Sequence, residues 1–240
     1  MHDFIRLSSL IISSTACPAL SWLISVSTEK SPEYFIKWVQ RILSRWETFE
    51  IQSILGTYGL DVGAITPFLY CFDDREHILD LLDGLTGSRL TYCFFRFGGV
   101  PVDIDADFVA GCRAFVSRLR SRWDDYHNLV TKNVIFIHRT RDVGIITRDQ
   151  CIKYGITGPN LRGSGIPYDI RKSEPYSAYP EFDFEVPIGS KGDIYDRYVV
   201  RLAEMEQSLR IIEQALDQIP AGPFIGKVPR VLKLPVGDTC

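Results

Sequence analysis

YVVRLAEMEQSLRIIEQALDQI, residues 198–219, decides the fold class of this 240-residue chain. Tyr198, Leu202, Met205, Leu209, Ile212, Leu216 and Ile219 alternate steps of four and three, which puts them on one stripe of a long α-helix. Glu204, Glu206, Arg210, Glu213 and Asp217 decorate its other sides, and Pro220 followed by Gly222 closes it. The same pattern predicts a second helix through Phe108, Cys112, Phe115, Leu119, Trp123, Tyr126 and Val130. Ile42, Trp46 and Phe49 mark a third. Asp73 and Asp74 read as the N-terminal end of a fourth, HILDLLDG, closed by Gly84 or Gly87.

Strand signals are few. VIFI (residues 134–137) and VGII (residues 143–146) read as short apolar strands. EFDFEV, residues 181–186, alternates Phe182, Phe184 and Val186 with Glu181, Asp183 and Glu185, a strand with a solvated acid face. The expected architecture is α+β, mainly α: a helical bundle core with a small β portion.

Composition narrows the function classes. With 45% hydrophobic residues, 24% charged residues and a formal net charge of −3, the chain is globular and offers no basic surface for nucleic acid. Six cysteines stand singly, without a CxxC pair or a Cys/His cluster, the pattern of reduced thiols rather than a disulfide framework or zinc site. Residues 7–28 carry no charge and are long enough to span a bilayer, yet seven serines and Pro18 dilute them. An internal helix and a targeting segment remain the two readings of that stretch, with a membrane span third.

Against these negatives stands GLDVGAITPF, residues 59–68, which sets Asp61 among small and apolar neighbours. Such a carboxylate is either a surface turn residue or a buried acid in need of a partner. Buried and unpaired, it costs several kcal/mol or gives up its charge. The residues around it supply no evident partner.

Other motifs favour structural readings. RGSGIP, within the long loop YGITGPNLRGSGIPYDIRK (residues 154–172), has neither phosphate-loop nor nucleophile-elbow spacing. It reads as a backbone that turns sharply on left-handed glycines. Arg162 and Arg171, with Lys172, are expected to hold carboxylates of a neighbouring chain. His77 falls on the polar side of the fourth helix and His138 at a strand end, both structural. DDRE (residues 73–76) reads as a solvated helix start, and the aromatics of YCFFRF (residues 92–97) as core.

Taken together, GLDVGAITPFLYCFDDREHILDLLDG (residues 59–84), RTRDVGIITRDQCIKYGITGPNLRGSGIPYDIRK (residues 139–172) and FEVPIGSKGDIYDRYVVRLAEMEQSLRIIEQALDQIP (residues 184–220) resemble one family. It is the 49-kilodalton (D) subunit of respiratory NADH:ubiquinone oxidoreductase, complex I. The resemblance runs from about Gly56 to Pro220 and more loosely from Phe4. It divides the chain into a weakly matching segment (residues 1–30), a helical core (residues 31–220) and a C-terminal extension (residues 221–240). A distant likeness to the nickel–iron hydrogenase large subunit implies the hydrogenase-like fold, although the metal-binding CxxC pairs of those enzymes are absent here.

The resemblance gives Asp61 a meaning. In the family this subunit and an iron–sulfur neighbour carrying the terminal cluster form the quinone cavity. By its place in the LDxGAxTPF segment, Asp61 is implied to hydrogen-bond a histidine that binds the quinone head group together with a tyrosine. Thr57, one turn earlier, is implied as a wall of that cavity. A carboxylate beside an imidazole raises the imidazole pKa, so the pair can hold a proton for reduced quinone. Electrons then come from NADH through FMN and iron–sulfur clusters in partner subunits, with ubiquinone at the shared cavity and no cofactor bound by this chain alone. Proton translocation and a place on the matrix side of the mitochondrial inner membrane, in the peripheral arm, complete the expectation.

Departures matter too. The family segment that carries the quinone-side histidine, HRGTEK, is absent from these residues, Ser9 stands where the tyrosine of FDRLDY aligns, and Thr91 stands where many mitochondrial members have histidine. Two readings follow. One is a fragment of a split subunit, completed by N- and C-terminal pieces on other polypeptides. The other is a degenerate, non-catalytic scaffold or accessory protein retaining the bundle. The coherent core pattern favours the fragment.

Overall fold

Four longer helices carry the computed structural model, which describes residues 46–89, 94, 100–175, 179–219 and 222–226. They are α1 (Trp46–Asp61), α2 (Ile65–Thr86), α3 (Ala106–Ser121) and, at the far end, α9 (Ile194–Gln218). Between α3 and α9 come α4 (Trp123–Tyr126), a π-helical turn (His127–Thr131), α5 (Val134–Thr140), α6 (Arg148–Lys153), α7 (Pro159–Gly163) and α8 (Ile170–Ser173). A 3-10 turn, Tyr179–Glu181, follows α8.

Helix α9 forms as its periodicity predicts. Asp193 caps it, accepting the Asp196 N–H at 2.7 Å and, on its other oxygen, the Asp142 N–H at 2.9 Å. Tyr198, Leu202, Met205, Leu209, Ile212 and Leu216 are buried in one core with Leu55, Cys71, Leu82, Phe108, Phe115 and Leu119 from α1, α2 and α3. A second stripe, Ile211 and Ala215, packs separately with Tyr179, Phe182 and Phe184. Helix α9 therefore buries two faces. Glu204, expected on its solvated side, is buried as well.

Two glycines set the hairpin of α1 and α2. A Cβ at Gly56 would lie 3.2 Å from Phe68 Cα, and one at Gly59 would lie 3.1 Å from the Ala64 carbonyl oxygen and 3.2 Å from Pro67 Cβ. Small residues there let the helices approach backbone to backbone. The connection closes on itself: Ala64 N–H donates to Gly59 O at 2.8 Å, and Gly63 takes φ +87°, which favours glycine. Pro67 sits in the first turn of α2, where its missing N–H leaves no helical bond unmade. At the other end Gly87, at φ 73°, donates its N–H to Asp83 O.

Several expectations give way. The fourth helix begins at Ile65 rather than at Asp73 and Asp74, which fall in its interior, and Gly84 lies inside it. The second helix is interrupted: α3 ends at Ser121, and a π-helical turn follows Tyr126, with Lys132 N–H donating to His127 O at 2.8 Å. The small β portion is not seen, since among the described residues there is no strand. VIFI is the start of α5, because Asn133 caps it by accepting the N–H groups of Ile135 (2.9 Å) and Phe136 (3.2 Å). Phe136 and Thr140, four apart, then face inward. His138 lies exposed in the last turn of that helix.

VGII is irregular chain whose backbone pairs with the approach to α9: Ile146 N–H donates to Gly192 O at 3.0 Å, and Ile194 N–H to Val143 O at 3.1 Å. EFDFEV begins on the 3-10 turn at Glu181 and continues as irregular chain packed against a helix. The N–H groups of Asp183 and Glu185 each donate at 2.9 Å to the side-chain oxygens of Gln214 and Gln207 on α9. Its alternation is real, with Phe182 and Phe184 buried and the three acids exposed. The uncharged stretch 7–28, the helix mark Ile42 and the side chains of Trp46 and Phe49 lie outside what is described.

Candidate functional site

Asp61 is the last residue of α1, and its side chain is exposed. Of its two sequence alternatives the surface position holds. A carboxylate there faces the negative end of the helix dipole, an arrangement that costs roughly 0.3–1 kcal/mol rather than stabilising the helix. Among the described residues no hydrogen bond or ion pair reaches it. Thr57, one turn earlier on the same face, is exposed too, its hydroxyl donating to Ile54 O at 2.8 Å. Around this edge stand exposed apolar side chains: Leu60 at 45%, Ile65 at 59% and Leu69 at 58% exposure. The structure thus brings Asp61 and Thr57 together on one open helical face.

Behind that face is a pocket of about 110 Å³. One wall is the turn between α1 and α2, from Gly59, Val62, Gly63 and Ala64; the other is the π-helical turn and α5, from Leu129, Val130, Asn133, Ile135 and Phe136.

A second constellation escapes the sequence reading. Asp74 is completely buried, although DDRE reads as a solvated helix start. Its Oδ2 accepts the Tyr126 hydroxyl at 2.6 Å, and its Oδ1 accepts Arg122 Nη1 at 2.8 Å and Arg118 Nε at 3.3 Å. Asp73, half exposed, accepts from Arg118 at 2.9 Å and from Arg122 at 2.8 Å. Burial works against ionisation of Asp73, but Arg122 and Arg118 outweigh it and hold its carboxyl below the ordinary value. Burial, the nearby Cys71 and the hydrogen bond to Asp74 all push the Tyr126 phenol up. The available signal was periodicity: once α2 starts at Ile65, Asp74 shares the stripe of Pro67, Cys71, Leu82 and Leu85.

The Gly-rich loop is held from within this chain. Arg162, buried, pairs with Glu204 of α9 and donates from Nη1 to Tyr168 O at 3.2 Å. Arg171 pairs with Asp169, donating from Nε at 2.8 and 3.0 Å, and lies over the Phe184 ring. Burial opposes ionisation of Asp169, yet Arg171 and then Arg162 bring its pKa below the ordinary value. The expected carboxylates of a neighbouring chain are therefore replaced by Glu204 and Asp169. Lys172 stands over Phe184. Gly165 (φ 81°) supplies the left-handed turn, whereas Gly163 is needed for contact, since a Cβ there would sit 2.9 Å from Arg197 Cγ. Arg197 in turn donates to Gly192 O at 2.9 Å and Gly144 O at 3.0 Å, tying the 143–146 segment to α9, while Gly192 N–H donates to Gly163 O of the loop at 3.1 Å.

Sequence comparison settles what kind of chain carries these features. The profile of the family described as respiratory-chain NADH dehydrogenase, 49 Kd subunit, matches residues 61–238. The chain belongs to that family. It is similar to the D subunit of NADH-quinone oxidoreductase from Syntrophobacter fumaroxidans, 64% identical over 184 residues that make up 76% of this chain and 49% of that protein. The D subunit from Desulfotalea psychrophila is 55% identical over 184 residues, 76% of this chain and 50% of the relative. The match to the D subunit from Geobacillus thermodenitrificans runs over 237 residues at 44% identity, 97% of this chain and 63% of the relative. The chain spans about half the length of the first two relatives. All three come from bacteria, so they lend no support to a mitochondrial location. Among the described residues no helix is long and apolar enough to cross a membrane.

Proposed function

We propose that this chain contributes to the quinone-reducing module of an NADH:quinone oxidoreductase, with Asp61 and Thr57 on the wall that faces the quinone. One observation carries this reading: in a chain of the 49-kilodalton family, an aspartate stands exposed at a helix end that disfavours it, among exposed apolar side chains. A site for a quinone head group needs such an edge, with apolar walls for the ring and a polar group where protons are exchanged. Asp61 orients and charges an imidazole that lies beyond the residues of this chain, on the same polypeptide or another. It thereby raises the proton affinity of that imidazole, which serves the reduced quinone.

In this reading the catalytic unit is the complex. Electrons reach the quinone from NADH through flavin and iron–sulfur clusters held by partner subunits, and the reaction is coupled to proton translocation. The complex is membrane-associated, with this chain peripheral to the bilayer. The loop of residues 157–172, held by Arg162 and Arg171, presents its outer side to the cluster-bearing partner.

The test is Asp61→Asn in the assembled complex, following NADH:quinone and NADH:ferricyanide activities side by side. Removing a general acid–base contribution lowers quinone reduction by roughly 10²-fold or more, while ferricyanide reduction, which bypasses the quinone, stays at wild type. Quinone reduction unchanged in Asp61→Asn sinks the reading and favours a non-catalytic scaffold that has kept the bundle.

A further inference from the structure

We infer that Tyr126 is a positioning residue for the Asp61 turn, its hydroxyl bond to Asp74 setting α2 against the π-helical turn. This rests on the reading of Asp61 as part of the quinone wall.

Asp74 has no solvent exposure, so each leg of its hydrogen bonding counts. The legs differ. Arg118 and Arg122 have side chains 38% and 22% exposed and share Asp73 with Asp74, so solvent and a second carboxylate stand ready to replace a lost contact. The Tyr126 leg is short, at 2.6 Å, and wholly buried. It fixes one distance between two elements.

Those two elements lead to the two walls of the pocket behind Asp61. On one side, Tyr126 directly precedes the π-helical turn, whose Leu129 and Val130 line the pocket. A π-helical turn is a local register change in a helix, and Tyr126 is the residue at its start. On the other side, Asp74 lies three residues after Cys71 on α2. Cys71 and Phe68 abut Gly56 of α1, at 3.4 and 3.2 Å from the place a Cβ would occupy. Packing that close transmits a rotation of α2 to α1 and to the Gly59–Ala64 turn beside Asp61. Among the described residues no hydrogen bond joins that turn directly to the π-helical turn or to α5. One link between them runs through α2 and the Tyr126–Asp74 bond; another runs through α9, where the Tyr198 hydroxyl meets Thr131 Oγ1 at 2.9 Å and its ring packs on Tyr58 of α1.

The experiment uses the assembled complex with ubiquinone-1 as probe and compares Tyr126→Phe, Arg118→Gln and Asp61→Asn. Tyr126→Phe keeps the ring and deletes only the hydroxyl. It is expected to raise the quinone KM roughly fivefold, the factor one lost hydrogen bond corresponds to, with complex content and NADH:ferricyanide activity unchanged. Arg118→Gln, which cuts a solvated leg and leaves the hydroxyl bond, keeps the wild-type KM. A Tyr126→Phe complex with wild-type KM, while Asp61→Asn lowers quinone turnover, overturns the positioning role and leaves the functional reading intact. An equal rise in KM in Arg118→Gln also overturns it, since any weakening of the cluster would then suffice. If Asp61→Asn itself reduces quinone normally, the functional reading fails and takes this inference with it.

Discussion

Replacing Asp74 with alanine strips three donors of a buried acceptor at once, and the structure says which loss counts. Tyr126 is 3% exposed, so its hydroxyl loses its carboxylate acceptor inside the core and keeps only the Cys71 thiol beside it, at a cost of about 1–3 kcal/mol. Arg118 and Arg122 retain Asp73 and partial exposure, so their loss is screened and adds at most about 1 kcal/mol. The total is about 1–4 kcal/mol, or roughly 2–16 °C in the melting temperature of a chain of this size. Asp73→Ala removes a carboxylate that is 53% exposed and engaged by the same arginines, and costs about 0–1 kcal/mol. Thermal unfolding of the full chain, followed by far-ultraviolet circular dichroism, compares the two variants side by side. An Asp73→Ala chain that melts as low as Asp74→Ala would refute the assignment of the stabilising role to the buried carboxylate.

Two further predictions concern ionisation and reactivity. Asp196 accepts the N–H groups of Ser190 (2.7 Å) and Lys191 (2.6 Å), and although burial opposes ionisation, these backbone donors hold its pKa below the ordinary 3.8. A carboxylate with a lowered folded-state pKa stabilises fully above its unfolded value and loses that contribution as pH falls through its folded one. The gap in urea midpoint between wild type and Asp196→Asn is therefore open at neutral pH and closes below about pH 4; a gap constant across that range contradicts the assignment. Burial pushes the Cys71 and Cys112 thiols up to about 12. Iodoacetamide at neutral pH is expected to spare both in the folded chain and to alkylate both in urea, as read by peptide mass spectrometry.

What was legible in the sequence was helical periodicity wherever one stripe faces one core. The stripe of Tyr198 to Leu216 lies where its spacing predicts, and so does that of Phe108, Cys112, Phe115 and Leu119. Illegible were features set by contacts between distant segments. VIFI carries strand propensity, yet the Asn133 side chain satisfies two N–H groups and begins a helix. EFDFEV has the alternation of a strand, but glutamine side chains of α9 stand in for a neighbouring strand. Asp74 and Glu204 are acids in helices whose solvated faces the composition overstates, and their arginine partners Arg118 and Arg162 lie 44 and 42 residues away in sequence. For the candidate site, the sequence singled out Asp61 among glycines and apolar residues but left surface turn and buried acid both open; its exposure at the helix end is set by where α1 stops. Its chemistry came from family resemblance, because a lone carboxylate does not declare what it faces.

The most direct measurement is photolabelling. The assembled complex is irradiated with a photoreactive ubiquinone analogue, digested with trypsin and mapped by mass spectrometry. Residues 46–75 span α1 and the start of α2 with no internal lysine or arginine, so Thr57 and Asp61 fall in one tryptic peptide. Label in that peptide, competed away by excess ubiquinone, is the predicted result. Competable label confined to other subunits, or to segments of this chain outside residues 46–75, would contradict the placement of Asp61 at the quinone.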